Sequence, residues 1–279
     1  MSAFPTVLFD EAHNQAWTTR PDVAEQINPT KPADASYAQA AATLRARGYD
    51  VRVHTDGPLD SSVVRDVDVL VVAHPSEPLW ERVVPGAGPK LEAGEIETIE
   101  AFVRGGGGLV VLGECDQDKY GNNLHELLGR VGLQIRTTTV LDPVHRAHEV
   151  DTWVMAQAAP QPERDDLAAG VQGACFYRTG VIDVDASVEH LAPLRTSMSA
   201  TSPDAPLLVA TYAGTGRVVA IADSDLIGDD SIDDFDHRRL WANVVSWAAA
   251  PSASDSDGRV RSSPVSYTHL RAHETMTGI

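Results

Sequence analysis

Cysteine and lysine are scarce: Cys115 and Cys175 are the only cysteines, and Lys31, Lys90 and Lys119 the only lysines, in 279 residues. Two cysteines exclude a disulfide-stapled scaffold and fit a reducing cytoplasm. No apolar run reaches the roughly 18 residues needed to cross a bilayer, so no membrane insertion is expected. Met1 to Pro5 lacks a basic segment leading into a long apolar stretch, so no secretory signal is expected and the location is read as cytoplasmic. Clustered basic residues are also missing, against a formal net charge of -18. Nucleic acid is repelled by such a surface and is excluded as a partner. The ordinary consequence of the charge is solubility. The preference for Arg over Lys, with abundant Ala, Gly, Val and Asp, reads as the coding bias of a high-GC bacterial genome.

What is present is enough apolar residue, 43%, to build a real core. Thr6 to Asp10 is a short apolar run closed by an acid and reads as a buried first strand. A polar loop with Pro21, Pro29 and Pro32 follows to Ala35. Ser36 is placed to cap a helix from Tyr37 to Arg47, which Gly48 ends. Asp50 to His54 alternates, as a strand near an edge does. Asp68 to His74 is apolar on both faces, as in a parallel sheet covered by helices. Beyond a Pro/Gly-rich loop, Ile96, Ile99 and Val103 stripe a helix from Glu95 to Arg104. Leu109 to Leu112 is a fourth strand, Asn122 or Asn123 caps a short helix through Leu128, and Leu133 to Ile135 begins a fifth strand.

Alternating strands and helices of this kind predict an α/β fold with a mainly parallel sheet and right-handed crossovers. Residues 141 to 205 break the rhythm and read as an insertion or peripheral subregion, with short strands around Trp153 and at Cys175 to Tyr177. Two apolar runs, Leu207 to Thr211 and Arg217 to Ile221, flank Gly214-Thr215-Gly216 and read as a hairpin. An acidic loop from Asp223 to Asp234 leads into a closing helix, Phe235 to Ala249. One domain thus spans 1 to 250. Residues 251 to 279 form a tail without a core-forming pattern. From about residue 264 it resembles a translated adapter fragment and is set aside, together with the i, i+4 pair His269 and His273.

In a parallel α/β sheet, ligands bind beyond the carboxyl ends of the strands. Those ends deliver Asp10, Glu11 and His13 from the first strand, His74 from the third, Glu114, Cys115 and Asp116 from the fourth, and Asp223 and Asp225 from the last. Cys115 follows Gly113 where a nucleophile elbow would stand, but Gln117 occupies the position of the second glycine. A thiol nucleophile needs a base; His13, His74 and His237 are the candidates. A small, half-buried cysteine without a role is the preferred reading of Cys115. The carboxylates and imidazoles also suit a metal-dependent hydrolase. No HExxH or EF-hand spacing supports one, and loop-capping carboxylates explain Asp10 and Asp223, so neither metal nor cofactor is expected. Trp17 and Tyr120 are rim aromatics that either stack on a sugar or base or fold back onto the domain. Gly105 to Gly108 follow a helix and precede a strand, which excludes a phosphate loop.

Three stretches carry a resemblance. They are Phe9-Asp10-Glu11-Ala12-His13; Gly106 to Glu114 with Asn122-Asn123-Leu124 and Leu127-Leu128; and Gly214 to Leu226 continuing to His237, Leu240, Asn243 and Trp247. Together they resemble the class I glutamine amidotransferase-like superfamily. The nearest branch is a non-catalytic one seen in gliding-motility transporter accessory proteins and in an intraflagellar-transport protein. The resemblance covers roughly residues 5 to 140 and 205 to 250. It implies a flavodoxin-like three-layer sandwich. The superfamily's enzymes use a Gly-x-Cys-x-Gly elbow with a downstream His and Glu. This chain keeps Gly113 and Cys115 and lacks the rest. The expectation is therefore a domain that binds a small molecule or a protein, with a rim of Asp10, Glu11, His13, Glu114, Asp116, Asn122, Asp223 and Asp225. A cysteine hydrolase or amidase built on Cys115 and a metal-dependent hydrolase are the alternatives.

Overall fold

The computed structural model describes residues 4–159 and 167–250. The tail, with His269 and His273, lies outside the described residues. In chain order the first half runs β1 (Thr6–Asp10), α1 (Pro21–Ile27), α2 (Ala38–Ala46), β2 (Asp50–His54), β3 (Val69–Val72), α3 (Ala93–Arg104), β4 (Gly108–Leu112), α4 (Gln117–Tyr120) and α5 (Leu124–Gly129). The second half runs β5 (Leu133–Ile135), β6 (Trp153–Met155), β7 (Gln157–Ala158), β8 (Cys175–Tyr177), β9 (Ile182–Val184), β10 (His190–Arg195), β11 (Pro206–Ala213), β12 (Gly216–Ile221) and α6 (His237–Ala249).

Eight strands form one sheet in the order β2-β1-β3-β4-β12-β11-β10-β7. The first five pair in parallel and the last three are added antiparallel. This is the flavodoxin-like order, with its switch point between β1 and β3. The two-residue period of a strand sorts the core into two layers. Val7, Phe9, Val71, Val110, Leu112, Val219 and Ile221 face the layer that holds Tyr37, Leu44 and Trp241. Leu8, Leu70, Val72, Leu109, Val111, Val218 and Ala220 face the layer that holds Ile96, Ile99 and Leu127. The continuous apolar runs read from the sequence are thus strands buried on both faces. Trp241 is fully buried and its indole N–H donates to Ala40 O at 3.1 Å, tying α6 to α2. The helix covers the start of β4 so closely that a Cβ on Gly108 would stand 2.4 Å from Ala248 O.

Three local expectations change. The segment from Glu11 to Ala35 is not a simple polar loop. Pro21 sits in the first turn of α1 and Pro32 opens a 3-10 turn, positions where proline needs no N–H partner. Leu133 to Ile135 does not join the main sheet; it pairs antiparallel with β9. Ser36 precedes the cap residue Tyr37, yet its hydroxyl still accepts the Ala38 N–H, while the remote Asp229 accepts the Gln39 N–H at 2.8 Å. Within 141–205, β6 and β8 form a separate hairpin-like pair, whereas β7 and β10 extend the main sheet. Among the described residues no helix is long and apolar enough to cross a membrane.

Candidate functional site

The carboxyl ends of β1, β3, β4 and β12 do meet on one rim, but they divide it between two tasks. At the β1 end the polar groups are consumed internally. His13 is 2% exposed and bridges two carboxylates, with Nδ1 2.7 Å from Asp10 Oδ2 and Nε2 3.0 Å from Glu95 Oε1. Burial pulls the imidazole pKa down, but the hydrogen bond and charge of Asp10, joined by Glu95, outweigh it and leave the pKa raised. Gln15 Nε2 donates to Asp10 Oδ2 at 2.7 Å. Glu95 also closes the capping box of α3 and accepts the Leu59 N–H at 2.7 Å. Glu11 accepts from Thr18, from the N–H and hydroxyl of Thr19, and from Arg20 Nε. These residues lock the β1 loop onto α1 and α3.

Cys115 lies 1% exposed under the 137–140 and 179–180 segments. Its Sγ accepts the Thr139 hydroxyl at 3.1 Å, and Gly180 stacks against its backbone. Burial pushes the thiol up to about 11, with the charges of Glu114 and Asp116 adding to the shift against the Thr139 hydrogen bond. The left-handed residue of the turn is Asp116 (φ 59°), one position past the cysteine, so the strain of an elbow does not fall on the thiol. None of the three candidate bases hydrogen-bonds to Cys115. His13 is committed to its two carboxylates. His74 Nε2 pairs with Glu81 at 2.8 Å, its ring meets Tyr120 edge-on, and its Nδ1 has no partner. His237 sits between Ser231 O and the Cys175 N–H, and burial lowers its pKa. Asn122 joins Pro75 O to the first turn of α5 and is structural in the same sense.

The β4 and β12 ends converge. One oxygen each of Glu114, Asp223 and Asp225 lie within 4.8 Å of one another. Glu114 Oε1 accepts the N–H and hydroxyl of Ser224. Asp223 accepts the Tyr177 and Asp225 N–H groups, which fixes β8 onto the rim. Burial, then repulsion led by Asp225, pushes both carboxyls well above the usual range. Oxygen sets of this kind also suit a hard divalent cation, but Glu114 Oε1 and both Asp223 oxygens already have protein donors. Asp225 differs. Its carboxylate has no hydrogen-bond donor among the described residues and looks into open space. Burial, with the charges of Asp230 and Glu81, pushes its carboxyl up to about 7 against the pull of Arg178.

That open space is a cavity of about 1050 Å³. Trp17, the 78–86 loop, Arg178 and Asp225 supply its walls. Leu79 and Trp80 stand at its mouth, 82% and 51% exposed. Trp17 shows only an edge, because its ring stacks parallel on Tyr37 at 4.9 Å and its N–H donates to Ser224 Oγ. Tyr120 is buried against His74. The loop is pinned to the β1 end by Gly86, whose N–H donates to Asn14 Oδ1, and by Ala87, whose N–H donates to Ala12 O.

Residues 29–245 match the family described as Domain of unknown function (DUF4350). The chain belongs to this family. Comparison of the DUF4350 chain with solved structures finds the mmIFT52 N-terminal domain at 17% identity and a TM-score of 0.70, covering 89% of this chain and 99% of that one. A putative ThuA-like protein from Bacteroides uniformis is similar at 12% identity and a TM-score of 0.52, covering 91% and 95%. Another from Parabacteroides merdae has the same identity and score, covering 91% and 92%. At these identities the likeness is one of fold. No curated protein matches the chain.

Of the rim residues singled out in the sequence of this DUF4350 member, Asp225 and Trp17 line the cavity. Asp10, Glu11, His13 and Asn122 hold the frame, while Glu114 and Asp223 lie behind Asp225. Asp116 turns the chain after β4. Sequence reasoning missed Arg178, Trp80, Glu81 and Arg82. Arg178 carries one usable signal: it follows the apolar Cys175-Phe176-Tyr177 run directly, at a strand end.

Proposed function

We propose that this chain is a non-catalytic, ligand-binding domain of the glutamine amidotransferase-like superfamily, taking a small molecule in the cavity beyond β1, β3 and β12. The observation that carries this reading is the state of Cys115. It is buried, hydrogen-bonded to Thr139, raised to about 11 and out of hydrogen-bond contact with every candidate base. A thiolate nucleophile requires the reverse: exposure, a depressed pKa and an adjacent base. The cavity, in contrast, has the size of a small-molecule site and an unsatisfied carboxylate in its wall. The order β2-β1-β3-β4-β12 and the Gly113/Cys115 remnant support the superfamily assignment. Two free thiols, both buried, support a cytoplasmic location.

The test pairs a thiol probe with a ligand search. Iodoacetamide at neutral pH is expected to label Cys115 in the native protein far more slowly than in the urea-unfolded chain. A thermal-shift screen of small metabolites is expected to yield hits that survive Cys115→Ala and change in affinity in Asp225→Asn or Trp80→Ala. Rapid native labelling of Cys115, or hits insensitive to both cavity substitutions, would sink the reading.

A further inference from the structure

We infer that the cavity is an oxyanion site, in which the guanidinium groups of Arg178 and Arg82 bind a carboxylate or phosphate group of the ligand. The inference rests on the cavity being the binding site proposed above.

The wall holds five ionisable groups that matter to its charge. Glu81 is paired with His74 at 2.8 Å, and Asp34 is faced by Lys31 at 3.6 Å. Arg82 donates one hydrogen bond to the neutral amide of Asn28 and makes no ion pair among the described residues. Arg178 makes no side-chain hydrogen bond and no ion pair among them. Asp225 is the remaining carboxylate without a donor. Two uncompensated guanidiniums thus stand against one acid that readily holds a proton. Glu114 and Asp223, just behind, have their carboxyls pushed well above the usual range by burial and by Asp225. In a chain of net charge -18, Arg82 and Arg178 are two cations of the cavity wall that make no ion pair among the described residues.

The backbone of Arg178 is also placed by the fold. Its backbone is left-handed at φ 52°, a conformation that a non-glycine residue adopts at a cost. Its N–H donates to Thr152 O at 2.7 Å. The residues on either side are fastened to β12, Tyr177 through Asp223 and Thr179 through Ala222 O at 2.9 Å. The subregion 141–205 therefore delivers one cation to the rim from a strained, doubly anchored position. The guanidiniums of Arg178 and Arg82 are both exposed on the cavity wall and carry N–H groups without a protein partner among the described residues. A ligand that brings acceptor oxygens satisfies them; planar guanidinium forks suit carboxylate and phosphate. The exposed Trp80 ring offers a face for the rest of the molecule.

A bound anion would favour the protonated form of Asp225. The groups facing that carboxyl are Glu114, Asp223, Asp230, Glu81, Asp34 and Arg178, of which only the last is a cation. Affinity is therefore expected to fall as pH rises through about 7.

The experiment titrates the full chain with inorganic phosphate, succinate, ethanolamine and glycerol, reading tryptophan fluorescence and melting temperature. Phosphate or succinate should give a saturable response, and Arg178→Met and Arg82→Met should each weaken it about tenfold or more. Arg178→Lys, which keeps the charge, should retain part of it and guards against a folding defect in the methionine variant. Saturation by phosphate alone identifies a phosphate ester as the ligand class; saturation by succinate alone identifies a carboxylate. An anion response unchanged in the Arg82→Met/Arg178→Met double variant, or no saturable response to either anion, overturns the inference. Saturation by ethanolamine or glycerol only overturns it while leaving the cavity as a binding site. If the metabolite screen is empty as well, the binding reading falls with it.

Discussion

Asp225→Asn should stabilise the protein, and only where the carboxyl would be ionised. Folded Asp225 keeps its proton to about pH 7, whereas in the unfolded chain it is lost near the ordinary 3.8. A folded-state pKa raised in this way gives a contribution that is whole at acid pH and is lost as pH rises through about 7. Each intervening pH unit is worth about 1.4 kcal/mol, so the full loss approaches about 4 kcal/mol. Asparagine has no charge to desolvate beside Glu114, Asp223 and Asp230. Because Glu114 and Asp223 relax when their neighbour becomes neutral, and because the amide is itself a polar group in a half-buried place, a gain of about 2–4 kcal/mol is expected above neutrality. For a domain of this size that is a rise in melting temperature of roughly 5–10 °C. Urea unfolding across the range from about pH 4 to about pH 8 measures it, and the two proteins should converge at the acid end. Most substitutions destabilise, so the sign is diagnostic. If Asp225→Asn were destabilising by the same amount at both ends of the range, the carboxylate would not be a strained group held open for a ligand, and the reasoning would fail.

His13→Asn removes the only imidazole shared by the buried Asp10 and Glu95 and should cost about 3–5 kcal/mol in urea unfolding. Because the His13 pKa is raised in the fold, its proton-linked stability is present below the ordinary 6.5 and lost as pH rises through the folded value, so the variant's profile should be flatter over that window. Gly86→Ala would set a Cβ 2.2 Å from Ala12 O, forcing the cavity loop off the β1 end; a cost of about 1–3 kcal/mol is expected, with faster limited proteolysis between residues 78 and 86. Trp241→Phe loses the hydrogen bond to Ala40 and leaves a void in the α2–α6 layer, lowering stability by about 2 kcal/mol in the same assay.

The parallel half of the sheet was legible because β1, β3, β4 and β12 are buried on both faces and read as unbroken apolar runs. Local pattern is all such a strand needs. The proline-rich stretch after β1 was misread as loop because Pro21 and Pro32 open helical turns, and a proline count does not say on which side of a turn the residue falls. The three residues of β5 read as a strand but carry no sign of their partner; only tertiary contact pairs them with β9. The rim residues were correctly placed near one another by topology, yet their roles were not readable. Whether Asp10 faces a ligand or an imidazole depends on His13 and Glu95, 3 and 85 positions away, and no spacing rule links them.

The distribution of donors around the rim carries the functional argument. Asp10 and Glu11 have donors from the loop that follows β1, and Glu114 and Asp223 have them from β12 and β8. A carboxylate so surrounded is part of the frame, because a ligand would have to replace bonds already made at short range. Asp225 sits at the end of the same series without such bonds, and Arg178, anchored on both sides, faces it without an ion pair. A half-buried carboxyl without a donor, beside an exposed guanidinium without an ion pair, is a place where a group arriving from outside finds open partners. A carboxyl raised to about 7 beside a guanidinium carried on an anchored backbone gives that place a proton-dependent affinity as well as a shape. The frame at β1 exists to hold the cavity loop still while this happens, which is why His13 and Gly86, remote from the open groups, are expected to alter stability first and ligand affinity only through the position of the loop.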